Sequence, residues 1–218
     1  MDAVRTIQVT GKGSIKVAPD MTRITMTVEG VCPDYAEALR LTADKTEKIK
    51  TCLWPQGFTA ADFKTRHFNV ETRYESYTDN GAYRQRFIGY GYTHELIVEF
   101  PSDNERLGGI LSALARSSAK PGFRFGFFVK DAEKVKNELL GKAVTDSAEK
   151  ARSLTEAAGV TLGDIVKIDY SWGRVDVDFG YKDYDVQYGD GEIPECHLEL
   201  TPENVEMSDT VTVVWEIK

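Results

Sequence analysis

Three histidines (His67, His94 and His197), three cysteines (Cys32, Cys52 and Cys196) and a run of aspartates from Asp176 to Asp190 are the residues of this 218-residue chain whose types could do chemistry. A calcium loop needs acids at its first, third and fifth positions, glycine at the sixth and glutamate at the twelfth. Counted from Asp176, Asp178 falls at the third position, but Gly180, Tyr181 and Gln187 occupy the fifth, sixth and twelfth. Counted from Asp183, Asp185 falls third, and Gln187 and Tyr188 follow at the fifth and sixth. Neither register fits. Cys196 and His197 are neighbours, and on a strand neighbours project to opposite faces, so the pair is poorly placed to share one ion.

The remaining polar groups read as structural. His94 lies between Tyr92 and Leu96 on an apolar face, and His67 stands between Arg66 and Phe68. No GxSxG serine elbow is present. The GKGS stretch, Gly11–Ser14, lacks the spacing of a phosphate loop and sits inside a strand pattern, where bulge glycines account for it. Gly89-Tyr-Gly-Tyr92 does not continue into a dinucleotide fingerprint. The expectation is therefore no catalytic, cofactor-binding or metal-binding residue and no cofactor. Two rivals stay open: a small-molecule or enzyme site between two lobes that uses His67, His94 and nearby tyrosines, and divalent-ion binding by the aspartates.

Charge gives one constellation. The chain carries a net -8, and residues 175–195 hold seven acids against Lys182 alone, a net -6. Residues 64–86 hold Lys64, Arg66, Arg73, Arg84 and Arg86 against Glu71, Glu75 and Asp79, a net +2. Asp176, Asp178, Asp183 and Asp185 on one side and those five cations on the other form the candidate interaction surface, within a chain or between subunits. Exposed pairs contribute about 0–1 kcal/mol each, so they set register more than affinity. With no dominant cationic cluster, nucleic acid is excluded as a partner. Scattered cysteines argue against a disulfide framework. The first residues, MDAVRTIQVTGKG, enter a strand pattern without a leader's basic and apolar regions, and no apolar run approaches the ~20 residues of a membrane span. A cytoplasmic protein is expected.

The elements that must carry these residues follow from periodicity. Ile7, Val9, Gly11, Gly13, Ile15 and Val17 alternate along one strand, Ala18-Pro19-Asp20 turns the chain, and Ile24, Met26 and Val28 start what reads as the return strand of a hairpin. A helix opens at Pro33-Asp34 with Tyr35, Leu39, Thr42, Thr46, Ile49 and Leu53 inward, and Pro55 and Gly57 end it. A second, longer hairpin runs through Phe68, Val70 and Tyr74, turns at Asp79-Asn80-Gly81, and returns with Tyr90, Tyr92, His94, Leu96, Val98 and Phe100 on one face. Ser102 and Glu105 stand at capping-box spacing before a short helix. Phe123, Phe125, Phe127 and Val129 share a strand face. The longest helix spans 131–158, with Leu140, Val144, Ser147, Ala151, Leu154 and Ala158 inward, Ala143 and Ala148 flanking, and Gly159 as C-cap. Strands at DIVKIDYSW and TVTVVWEIK follow. The class is α+β: antiparallel hairpins with three helices, two-lobed, the second lobe ferredoxin-like. The lobes are expected at 1–85 plus 205–218 and at 86–172, with an acidic insert at 174–195.

Several stretches together resemble the SIMPL domain family, the YggE-like proteins known as a domain of unknown function. They are VTGKGSIKVAPDMTRITMTVEG, DYAEALRLTADKTEKI, FKTRHFNVETRYE leading to GYGYTHELIVEF, LGGIL, LLGKAVTDSAEKARSLTEAAGVTLGDIVKI and DTVTVVWEIK. They occur in the family's order over nearly the whole chain, which the resemblance makes a single SIMPL domain. The resemblance implies an α+β fold, ring-like or channel-like homo-oligomers and an unidentified protein partner. It also implies a loose link to stress tolerance and a likeness to Gram-positive cytosolic members. It supplies no catalytic residue. On this basis a non-enzymatic, self-assembling scaffold or partner-binding module is expected.

Overall fold

A computed structural model describes residues 5–79, 81–170, 184–186 and 201–218. The chain runs β1 (Thr6–Val17), β2 (Met21–Cys32), α1 (Tyr35–Leu53), β3 (Lys64–Asp79), β4 (Ala82–Pro101), α2 (Asn104–Ala115), β5 (Gly122–Phe128), α3 (Ala132–Ala158), β6 (Leu162–Asp169), β7 (Tyr184–Val186) and β8 (Val205–Ile217). The strands form two sheets, β1-β8-β6 and β3-β4-β2-β5-β7. The pairings described within them are antiparallel. The fold is α+β.

Two compact units result. One comprises Met1–Pro19, Phe128–Tyr181 and Pro202–Lys218, the other Asp20–Phe127 and Lys182–Thr201. This division differs from lobes at 1–85 plus 205–218 and at 86–172, because β4 is bonded to β3 from Ala82 to Ile97 and to β2 from Tyr90 to Pro101 and stays in their unit. The strand-helix-strand-helix-strand order from β4 to β6 is present, but β4 and β5 belong to the five-stranded sheet and β6 to the three-stranded one.

In the first unit α3 lies across β1 and β8. Its buried line is Val135, Leu139, Ala143, Ser147, Ala151 and Thr155, stepping by four. Leu154, expected inward, is exposed, and Leu140, Val144 and Ala148 pack at the margin of the core. The small-residue line wins the inner position because β1 presents no side chain at two positions opposite it: Gly11 faces the backbone of Ala143 and Ser147, and Gly13 that of Leu139 and Ala143. β1 pairs with β8 residue for residue from Thr6↔Glu216 to Val17↔Val205. The two glycines therefore mark the helix's close approach, and the expected bulge is absent. The Asp146 carboxylate accepts from the Lys12 backbone N–H at 2.7 Å and is paired with Lys150, which ties helix to strand. Lys150 and the Lys12 N–H hold that carboxyl below its ordinary range. Asp131 caps the helix by accepting from the Lys134 N–H, and Gly159 closes it in the left-handed region at φ 70°.

In the second unit β2 is the strand that fills the core: Ile24, Met26 and Val28 are buried against Ile49 and Leu53 of α1, Leu107, Ile110 and Leu114 of α2, and Leu96, Val98 and Phe100 of β4. β1 and β2 do not form the expected hairpin. The Ala18–Asp20 turn passes the chain from one sheet to the other, and β2 bonds to β4 instead. On α1 the buried line is Ala38, Thr42, Thr46, Ile49 and Leu53, whereas Tyr35 and Leu39 are exposed. The cap of α2 is Asp103, which accepts from the Arg106 N–H; Ser102, one residue earlier, bonds the Thr22 hydroxyl.

Candidate functional site

The feature that stands out from this frame is the far end of the β3–β4 hairpin. β3 and β4 pair from Lys64↔Ile97 to Asp79↔Ala82, but β2 accompanies β4 only as far as Cys32↔Tyr90. Beyond that point, among the described residues, two strands continue alone as an arm. Arg73 pairs with Gly89 and Tyr74 with Phe87, so Ile88 is an extra residue on β4, a one-residue bulge. Gly89 supplies it with a backbone at φ 133°, a region that side chains other than glycine's rarely allow.

The bulge changes which residues share a face. Counting back from Tyr90 by strict alternation would place Ile88, Arg86 and Arg84 beside it; the extra residue places Phe87, Gln85 and Tyr83 there instead. With their partners Tyr74, Ser76 and Thr78, these make one face without a formal charge. Its rings join edge to face, Tyr74 to Phe87 at 5.8 Å, Phe87 to Tyr90 at 5.4 Å and Tyr90 to Tyr35 of α1 at 5.5 Å. Tyr74, Phe87 and Tyr83 are 55, 47 and 89 % exposed.

The charges lie on the other face. Arg86 clasps Glu75 through Nη2 at 2.6 Å and Nε at 2.8 Å, and Arg84 stands 3.4 Å from Asp79. Nearer the sheet Arg73 is 3.2 Å from Glu71. Three of the five candidate cations are thus matched within the hairpin. Lys64 and Arg66, at its foot, have no carboxylate within ion-pair distance among the described residues. Of the candidate aspartates, Asp185 lies in β7, its backbone opposite Arg124 of β5. Asp176, Asp178 and Asp183 lie outside the described residues. So do Cys196 and His197.

His94 is buried beneath α1. Its Nδ1 is 2.9 Å from the Thr46 hydroxyl and its Nε2 3.0 Å from that of Thr65, while Phe68 meets the ring edge to face at 5.3 Å. His67 is exposed on β3. Two open clefts, of about 400 and 410 Å³, are lined by Lys12, Lys16 and Glu206 in one unit and by Gln56, Asp103 and Arg106 in the other; neither includes a histidine. In the second cleft Arg106 is committed to packing, its guanidinium 4.6 Å from the Phe58 ring centre and its Nε donating to the Gln56 carbonyl. Among the described residues no three His, Cys, Asp or Glu side chains stand close enough to hold a metal.

Burial first, and the charge of Lys50 second, hold the His94 pKa below the ordinary imidazole value. The unfolded chain then takes up a proton at a higher pH than the folded one, so stability is full above pH ~6.5 and falls as pH drops from there towards the folded pKa. Urea midpoints of wild type and His94→Gln, measured between pH 7 and pH 5, should converge as pH falls. Parallel profiles would show that His94 is not the group responsible.

An α+β protein of two antiparallel sheets with an aromatic, two-stranded arm is the class these features define. The family described as SIMPL, protein of unknown function (DUF541), matches residues 7–215. The chain belongs to that family. Among its relatives are the 26 kDa periplasmic immunogenic proteins of Brucella melitensis biotype 1 and Brucella abortus (strain S19), each 26% identical over 163 residues. That match covers 74% of this chain and 65%, just under two thirds, of each relative. No helix among the described residues is long and apolar enough to cross a membrane.

Proposed function

We propose that this chain is a self-assembling, partner-binding protein without catalytic chemistry of its own, and that the β3–β4 hairpin is its contact surface. The observation that carries the reading is the arm. An isolated two-stranded ribbon is marginal in water and is stabilised when a face is covered. This one exposes Tyr74, Tyr77, Tyr83, Phe87 and Ile88 within fifteen residues, a density of large apolar side chains that marks interaction surfaces. Lys64 and Arg66 at the foot add a cationic margin for an acidic partner surface such as the 175–195 stretch of a neighbouring copy. A ring-like homo-oligomer is the assembly this reading favours. A cytoplasmic site of action belongs to the same proposal, and it is the part against which the Brucella relatives' periplasmic naming argues.

The rival, a small-molecule site using His67 and His94, has less support, since both nitrogens of His94 are already bonded to threonine hydroxyls. Light scattering coupled to size-exclusion chromatography, at low and at high salt, tests the assembly. A mass that is a multiple of 24.4 kDa is expected. The monomer mass under both conditions, at every loading concentration, would sink it.

A further inference from the structure

We propose that the uncharged face of the arm docks against the same face of a second copy, turned end for end, so that the contact is aromatic and insensitive to salt. This rests on the self-assembly reading above and adds to it a two-fold contact that pairs copies, so that a ring needs a second, different contact beside it.

The first argument is continuity. Phe100, Val98, Leu96, His94 and Tyr92 of β4 are buried on the helix-covered face of the sheet. The same face goes on through Tyr90 and, across the bulge, to Phe87 and Tyr83, with Tyr35 of α1 touching it at the edge where the helix begins. The pattern of a buried face outruns the helix that buries it.

The second argument is what can cover it. The bulge segregates the charges: Glu75, Asp79, Arg84 and Arg86 stand together and are mutually paired, leaving the aromatic face with hydroxyl, amide and ring groups only. Two such faces meet without like charges opposed, and no ion pair has to be broken.

The third argument is symmetry. Along the face the cross-strand pairs read Tyr74/Phe87, Ser76/Gln85, Thr78/Tyr83. Turned about a two-fold axis through the middle pair, Phe87 meets the partner's Tyr83, Tyr74 meets the partner's Thr78, and Ser76 meets the partner's Ser76. Large groups meet at both ends and uncharged polar ones at the axis, where Gln85 also meets the partner's Gln85, which is the self-complementarity an isologous contact requires. With rings of ~150–250 Å² each and Tyr74, Phe87 and Tyr83 55, 47 and 89 % exposed, the rings of the two copies bury about 600–950 Å² in total, below the ~1,000 Å² of a stable specific interface. It is therefore concentration-dependent when isolated from any other contact.

Sedimentation equilibrium of the full chain, from about 10 µM to about 500 µM, reads it. Tyr83→Ser is the main variant, because Tyr83 has no ring contact among the described residues and its loss leaves the arm's own packing intact. Association should weaken about tenfold or more in Tyr83→Ser and change less than about threefold between low and high salt. In parallel, Ser76→Cys should form a disulfide-linked dimer on mild oxidation, and Glu75→Cys, on the charged face, should not. A wild-type chain that is monomeric throughout overturns the self-assembly reading and this inference with it. A wild type that associates while Tyr83→Ser associates equally well, or that dissociates in salt, or in which Glu75→Cys cross-links and Ser76→Cys does not, overturns this inference alone.

Discussion

Replacing Gly11 and Gly13 together by alanine should unfold the three-stranded unit under conditions where wild type is folded. A Cβ at Gly11 would stand 2.5 Å from the Ser147 amide nitrogen and closer still to the Ala143 carbonyl oxygen. At Gly13 it would stand 3.1 Å from the Ala143 nitrogen and closer still to the Leu139 carbonyl oxygen. These neighbours are helix backbone, and they cannot swing aside as the end of a side chain can. Either α3 lifts from the sheet, opening the packing of Val9, Val211, Val213 and Trp215 against Ala143 and Ala151, or the strand bends and gives up ladder bonds to β8. Overpacking costs about 1–3 kcal/mol per site and sometimes more, against a typical domain stability of about 5–15 kcal/mol. The two sites act on one helix, so the double variant should lose about 4 kcal/mol or more, read as a fall in the denaturant midpoint. Gly141→Ala, on α3 with nothing within 4 Å of its Cβ, is the control and should be neutral or slightly stabilising. A double variant that melts like wild type would mean that the glycines are not what sets the approach of α3.

Those glycines also show where sequence reading reaches its limit. The alternation that defines β1 is visible in Thr6–Val17 and is found as a strand. The partner strand is not visible, because β8 lies some 200 residues away and strand pairing leaves no local mark. Glycine in a strand has two physical readings, a bulge or a backbone laid close by, and only knowledge of what crosses the strand separates them. The same missing information misplaced the inner line of α3. Leu140, Val144 and Leu154 have the stronger hydrophobic pull, but a helix that meets glycines offers its small residues, and Ala143, Ser147 and Ala151 take the centre. The turn at Ala18–Asp20 was legible as a turn and not as a passage between sheets. At the candidate site, the hairpin and its buried row from Tyr92 to Phe100 could be read, while Asn80 of the expected turn lies outside the described residues. What could not be read was the phase of the arm beyond Gly89, since one unpaired residue reverses every side chain after it.

Gly89→Val should separate the arm from the sheet that aims it, with a larger effect than any single change on the arm itself. The glycine's φ of 133° is closed to a β-branched residue, and a Cβ there would stand 2.9 Å from the carbonyl carbon of Cys32, closer to its oxygen, and 3.4 Å from Pro33 Cα. The last residue of β2 and the entry to α1 would both have to move. Backbone strain of about 1–3 kcal/mol adds to an overpacking cost of similar size, so a loss of about 2–5 kcal/mol is expected in the five-stranded unit. Self-association should fall with it. Deleting Ile88 separates the role of the glycine from the role of the bulge. Without Ile88 the ladder can run regularly, and counting back from Tyr90 by twos reaches Phe87, Gln85 and Tyr83, the same neutral face that the bulge now produces. The deletion should therefore keep the arginines on the far side, cost less than Gly89→Val, and retain association. If it abolishes association while the unfolding midpoint stays near that of wild type, the bulge positions the arm by its twist. If association survives, the bulge matters for the phase it sets, and the segregation of charge from aromatic surface is what the hairpin is built to preserve.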